Sequence, residues 1–294
     1  MTMSRYPFRV GIVHSMAFPG ILEGRSSVLE TAKIIVKDDF FDAIEVSSNS
    51  DYLTRRELAS LLKSSGTEVV FCGGGDLIRG NINLNALDPS TRRQAVEFVK
   101  QLADEAASLG AKTIVLCSGP DPGKDLRKAA MSVLASSLVE VADYVGKDIV
   151  VSLESFDRDV DKRRLVGPTR EAVDLVLGVR KDCRNIGLTV DLSHLPLLKE
   201  SPASSLAQAR DVLVHTHIGS CLPDADSHPR FHAPNSCNGV PEVREFLRSL
   251  REIGYFNRPA PIVSFEVKPV AGETSESVIA ESKEVLVEAM RGLT

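Results

Sequence analysis

Eight short runs rich in β-branched residues recur along the chain: "FRVGIV", "DAIEV", "EVVFCG", "KTIVLC", "DIVVSLE", "NIGLTVD", "DVLVHTH" and "PIVSFEV". Between them lie longer stretches with helical spacing. In "TRRQAVEFVKQLADEAASLG", Ala95, Val96, Val99, Leu102, Ala103 and Ala106 form one apolar stripe and Gly110 supplies the stop. "ELASLLKSSG", "AAMSVLASSLVEVADYVG", "TREAVDLVLGVR" and "EVREFLRSLREIGY" repeat the pattern. Strand, loop, helix, strand demands parallel strands joined by helical crossovers. Eight such units fit an α/β fold of the (β/α)8 TIM-barrel type better than an open doubly wound sheet, because the GxGxxG turn usual after the first strand of the latter is missing. "FCGGGDLIRGNINLN" lacks both the P-loop Lys and the Rossmann spacing, and is expected to be a flexible loop after the third strand.

The chain has 294 residues, 43% of them hydrophobic, and no linker or low-complexity tract divides it, so residues 1–294 are expected to form a single domain. A formal charge of −5 without any Lys/Arg run argues against nucleic acid as a partner. No window approaches the roughly 18 apolar residues of a membrane span, and the N-terminal apolar run reads as a strand. A cytoplasmic protein with no membrane contact is expected. Cys72, Cys117, Cys183, Cys221 and Cys237 form no CxxC pair and read as reduced thiols.

Side chains on a barrel strand alternate between the interior and the helices, and the last inward residue of each strand reaches the active-site mouth. In "IVVSLE" the outward Ile149, Val151 and Leu153 leave Ser152 and Glu154 inward, and in "GLTVD" the outward Leu188 and Val190 leave Thr189 and Asp191 inward. The same reasoning turns Leu213, His215 and His217 inward in "VLVHTH", and Ser264 and Glu266 inward in "IVSFE". Four consecutive strands thus deliver Glu154, Asp191, His217 and Glu266 to one mouth. Three crowded carboxylates would drive one another toward protonation unless a cation neutralises them. One divalent metal is expected, Mn2+ first, with Mg2+, Co2+ or Zn2+ as alternatives; the absence of thiolate ligands argues against a closed structural zinc site. Ser152, Thr189, His215 and Ser264, one layer deeper, are expected to hydrogen-bond the ligands.

The motifs "SLES" with Glu154, "DLSH" with Asp191 and His194, "HTHIGS" with His217 and "SFEVKP" with Glu266 resemble those of the xylose isomerase-like TIM barrels, over essentially the whole chain. That family includes sugar isomerases and epimerases, hydroxypyruvate isomerases, inosose dehydratases and zinc AP endonucleases. The resemblance implies metal ligation by Glu154, Asp191, His217 and Glu266 and substrate contact by His194. It also implies that Glu154 and Glu266, on opposite faces of a bound sugar, serve as acid and base.

The expected activity is isomerisation or epimerisation of a sugar or keto-sugar, by proton abstraction beside a carbonyl through a metal-stabilised enediolate. His14, ending the first strand, and Lys268, inward by parity with Glu266, are further candidates for substrate contact, as are Arg230 and His232 in the Gly/Pro/His-rich loop from Ser220 to Val240. Glu45, which closes the second strand, is another. The resemblance has one departure: ketose 3-epimerases carry an Arg six residues after the ligand His, where this chain has Pro223. A metal-dependent lyase or dehydratase acting on an oxidised sugar, inositol or glycoside is therefore the alternative. An AP endonuclease is a remote one, disfavoured by the acidic charge. The expected partner is a small sugar-like molecule, with assembly into a homo-oligomer left open.

Overall fold

Each β-branched run becomes a strand and each periodic stretch a helix in the computed structural model, which describes residues 5–293. In chain order the first half contains β1 (Arg9–Ile12), α1 (His14–Ala17), α2 (Val28–Val36), β2 (Ala43–Val46), α3 (Tyr52–Ser65), β3 (Glu68–Cys72), α4 (Gly74–Arg79), α5 (Pro89–Ser108), β4 (Thr113–Cys117) and α6 (Lys124–Val145). There follow β5 (Val150–Glu154), α7 (Thr169–Val179), β6 (Ile186–Asp191), α8 (Leu195–Leu198), α9 (Pro202–Ala209), β7 (Leu213–Gly219), α10 (Val240–Glu252), β8 (Ile262–Glu266) and α11 (Ser275–Arg291).

The eight strands form one sheet in the order β1-β8-β7-β6-β5-β4-β3-β2, with every pairing parallel. A parallel bridge from Val13 to Glu45 joins the two edges. Asp42 reinforces that seam: its N–H donates to Val10 O at 2.8 Å and its Oδ2 accepts from Val10 N–H at 3.0 Å. The product is a nearly closed (β/α)8 barrel. Helices cover it because each carries one apolar stripe. In α5 the buried positions are Ala95, Val96, Val99, Leu102, Ala103 and Ala106, the stripe read from the sequence, and Asp88 caps the helix by accepting the N–H of Thr91. The main core lies between sheet and helices, while Ala43, Val70, Val115 and Ile262 form a separate apolar cluster inside the barrel. The polar mouth thus rests on a dry floor.

Two local expectations fail. "FCGGGDLIRGNINLN" is not a plain loop, since Gly74–Arg79 is helical. Asp76 anchors it by accepting the N–H of Ser48 and pairing with Arg79. The second departure is in β7: Leu188 pairs with Leu213, but Thr189 pairs with His215, so Val214 is an extra residue. Such a bulge shifts the side-chain phase. Leu213 therefore joins the outer core beside Leu188 and Val212 instead of facing inward. Val214 fills the space beside Gly187, where an added Cβ would lie 2.4 Å from Val214 Cγ1 and 2.6 Å from Val212 O. Gly178, in contrast, sits exposed in α7 with nothing within 4 Å of an added Cβ. Gly187→Ala is expected to lower unfolding stability by about 1–3 kcal/mol through overpacking, and Gly178→Ala to raise it by about 0.5–1 kcal/mol. Urea titration of both variants checks the pair; equal effects would overturn the account of the bulge.

Candidate metal centre

Strands β5 to β8 end in side chains that converge. Glu154, Asp191, His217 and Glu266 each offer a ligand atom, all within 4.8 Å of one another. His217 is at their centre. Its Nδ1 lies 3.0 Å from Glu154 Oε1 and 2.9 Å from Glu266 Oε2. The Glu266 contact is too poorly aligned to count as a hydrogen bond, so Oε2 is buried without one. Asp191 is oriented by Ser193, whose N–H and Oγ–H donate to its two oxygens at 2.8 and 2.5 Å. Burial pushes the Glu154 carboxyl above its ordinary range, and His217 only partly offsets this. Glu266 is also pushed up by burial, but His228 and His217 outweigh it and hold the group down to about 2.

The other edge of His217 faces Glu45. Glu45 is fully buried, and its two oxygens accept from His215 Nε2–H at 2.8 Å and His217 Nε2–H at 3.2 Å. Burial pushes the Glu45 carboxyl up, but the two histidines more than reverse that. Burial alone would lower the pKa of His217; Glu45, Glu266 and Glu154 instead raise it well above 6.5. Glu45 is thus a brace across the barrel from β2 to β7, and its carboxylate does not face the mouth. In the deeper layer His215 lies 3.2 Å from His217, but with both Nε2–H groups given to Glu45 it does not make the expected hydrogen bond to the ligand; Ser152 and Thr189 bond each other at 2.6 Å and Ser264 Oγ has no partner among the described residues.

A second group of donors adjoins the first. Asp191, His194 and His228 also place ligand atoms within 4.8 Å of one another. His194 Nδ1–H donates to Ser155 O at 2.8 Å, which turns Nε2 toward Asp191 and Asp226, each at 3.4 Å. Neither contact has hydrogen-bond alignment, and both Asp226 oxygens are likewise buried without an aligned partner. His228 Nε2 lies 2.9 Å from Asp226 Oδ1. Burial opposes charge here too, but Asp226 and Asp191 raise His194 well above its ordinary pKa, and Asp226 with Glu266 raises His228 to about 9. Asp226 was not singled out from the sequence, although "DADSH" places it two residues before His228.

The sequence model of the xylose isomerase-like TIM barrel family matches residues 36–289. This chain belongs to that family. It is 24% identical to a probable ketose 3-epimerase of Synechocystis sp. over 193 residues, which span 63% of this chain and 63% of that relative. Among solved structures, a D-tagatose 3-epimerase-like protein matches with a TM-score of 0.75 at 19% identity, covering 97% of this chain and 100% of the other. An IolI protein with a bound zinc atom matches with a TM-score of 0.72 at 18% identity, covering 96% and 97%. These structural likenesses concern the fold.

Within this xylose isomerase-like barrel, the remaining candidates scatter. Arg230 turns outward and pairs with Glu273 at 2.7 Å and Glu281 at 2.8 Å; His232 is exposed, and its N–H donates to Glu281. They fasten the loop after β7 near α11, while Asp226 and His228 of the same loop enter the centre. Lys268 is exposed, because strand alternation ends with Glu266; its N–H donates to His228 O at 2.7 Å. His14 opens α1, and its Nε2–H donates to Thr31 Oγ1 at 2.8 Å. The cavity beside it measures about 30 Å3, room for water and not for a sugar ring. Among the described residues, no helix is long and apolar enough to cross a membrane.

Burial lowers the pKa of His14 from 6.5 to about 4. The unfolded chain therefore takes up this proton first, and the folded state loses stability as pH falls from about 6.5 to about 4 and no further. His14→Gln keeps a donor for Thr31 and removes the titration. The stability difference between wild type and this variant is expected to shift by about 3 kcal/mol between pH 7.5 and pH 4. A difference independent of pH in urea titrations would show that His14 is not held neutral.

Proposed function

We propose that the protein is a metal-dependent sugar isomerase or epimerase that moves a proton beside a carbonyl. The observation that carries this reading is the convergence of Glu154, Asp191, His217 and Glu266 within 4.8 Å. An orphaned oxygen, Glu266 Oε2, and an imidazole bracketed by carboxylates are what a cation would satisfy. The donors, three carboxylates and one imidazole without thiolate, suit Mn2+ first and Mg2+, Co2+ or Zn2+ next. Such an ion would polarise the substrate carbonyl and stabilise negative charge beside it. The relatives named as 3-epimerases support the sugar substrate.

The chain's own residues have separable tasks. Glu45 accepts the Nε2–H of His217 and so leaves Nδ1 as the coordinating nitrogen, with the ring fixed by its position across the barrel. Glu154 and Glu266 flank Nδ1 from β5 and β8, so each can address a different face of a sugar and serve as acid or base. His194, close to Asp191, is placed to contact substrate. A second reading, a centre holding two ions, is favoured by His194 Nε2 and the Asp226 oxygens, which lack aligned hydrogen bonds although His228 and Lys162 lie within ion-pair distance of Asp226.

Metal analysis of the purified protein is expected to find one divalent ion per chain; two would support the second reading. Asp191→Ala and His217→Ala with undiminished metal content would rule the site out. Glu45→Gln offers an acceptor to only one of the two histidines and is expected to weaken metal binding about 10–100-fold, measured by competition with a chelator. With the ion retained, Glu154→Gln or Glu266→Gln is expected to slow turnover on the order of 10²–10⁴-fold. A screen of keto-sugars in deuterated water, reading label at the labile carbon, tests the reaction itself. No exchange in any sugar would overturn the proposed activity.

A further inference from the structure

The loop between Glu154 and α7 carries a guanidinium without a counter-charge. Arg164 is 8% exposed, its Nε is buried with no hydrogen-bond partner, and no carboxylate lies within 4 Å of it among the described residues. Its neighbours are arranged differently. Arg158 pairs with Glu171 at 2.6 Å, Arg127 with Asp121 at 2.6 Å, and Lys162 with Asp161 at 2.8 Å. A largely buried guanidinium with no ion pair is costly to carry, and a protein that carries one usually supplies its counter-charge by other means.

The backbone places Arg164 at the barrel mouth. Arg164 bridges Pro120 in antiparallel fashion, and its N–H donates to Asp157 O; Leu165 N–H donates to Gly119 O. The segment is therefore laid over the ends of β4 and β5, beside the strand that ends in Glu154. Leu165 and Val166, the next two residues, are both buried in the outer core, and Val166 N–H donates to Ser118 Oγ at 3.0 Å just past the end of β4. Cys117 points inward opposite Glu154 in the sheet register. Burial pushes its thiol up to about 12, and the Arg164 charge is the first influence opposing that rise. Among the described residues the terminal nitrogens of Arg164 make no hydrogen bond, and unlike Nε they are not fully buried, so they are free to meet a ligand.

We infer that Arg164 is the subsite for an anionic group, a carboxylate or phosphate, on the sugar-like substrate of the adjoining centre. The inference rests on the reading of that centre as a sugar site. A guanidinium presents paired donors that match a carboxylate or phosphate edge, and a charge-assisted contact in a desolvated site is strong enough to set specificity. The substrate is thus a sugar acid or a sugar phosphate, and a neutral sugar leaves the cation unpaired.

The test is calorimetric binding of D-gluconate, D-fructose 6-phosphate and neutral D-fructose to the protein as purified, with Arg164→Met and Arg164→Lys alongside. Wild type is expected to bind at least one anionic sugar about 10–100-fold more tightly than D-fructose. Arg164→Met should abolish that preference and Arg164→Lys retain part of it. Whichever anionic probe loses affinity identifies carboxylate or phosphate. Because Arg164 has no protein partner, the metal-free Arg164→Met protein should melt no lower than wild type. Equal affinities in wild type and Arg164→Met, no preference for either anion, or a large fall in Tm would overturn the inference. Deuterium exchange is read separately, so neutral sugars that exchange without any anion preference would defeat this inference alone. Anion binding lost in Arg164→Met without exchange in any sugar would defeat only the proposed activity.

Discussion

His217 has carboxylates on both of its nitrogens, and the rest of the centre is arranged around that fact. Glu45 takes one edge of the ring, while Glu154 and Glu266 crowd the other. In a buried place such charges are tolerated only when each is compensated. The Glu45 edge closes into a set of hydrogen bonds with His215; at the Nδ1 edge Glu154 Oε1 is hydrogen-bonded at 3.0 Å while Glu266 Oε2 comes near without an aligned bond. One ring thus separates a fully paired contact from a crowded one that leaves a carboxylate oxygen unpaired.

That asymmetry depends on the barrel. Glu45 reaches His217 only because β2 faces β7 across the interior, and the apolar cluster of Ala43, Val70, Val115 and Ile262 seals the space away from the mouth. The bulge at Val214 contributes as well. It leaves Leu213 in the outer core and still delivers His215 and His217 inward, so the strand satisfies both faces with one extra residue.

Loops divide the work above the strands. Within the segment after β7, Asp226 and His228 join the centre while Arg230 holds the loop to Glu273 and Glu281. Asn238 secures its far end, with Nδ2 donating to Leu192 O and Gly219 O at 3.0 Å each. The close approach there needs Gly219, where a Cβ would lie 2.3 Å from Glu266 O. The segment after β5 is organised by Asp157, whose carboxylate accepts the N–H groups of Val160, Asp161 and Lys162. Where the resemblance to ketose 3-epimerases implies Arg, this chain has Pro223, and Arg164 on the neighbouring loop has no ion pair among the described residues.

The eight strands, the apolar stripe of α5 and the inward phase of Glu154, Asp191, His217 and Glu266 were legible in the chain because strand alternation and helical period are local properties. A side chain two residues along a strand returns to the same face whatever surrounds it. Local period could not reveal the phase slip at Val214, which exists only through pairing with β6. Nor could it tell which histidines of "SHPRFH" face the centre: His228 turns in and His232 turns out because Asp226, itself buried beside His194, holds one and Glu281 of α11 lies beside the other. Glu45 and His217 are separated by 172 residues, and Arg164 has no motif at all. Sequence alone thus determined the type of fold and the four converging donors. The tertiary structure decided which charges are paired and which are left for a ligand, because compensation of buried charge depends on distances across the barrel and between its loops.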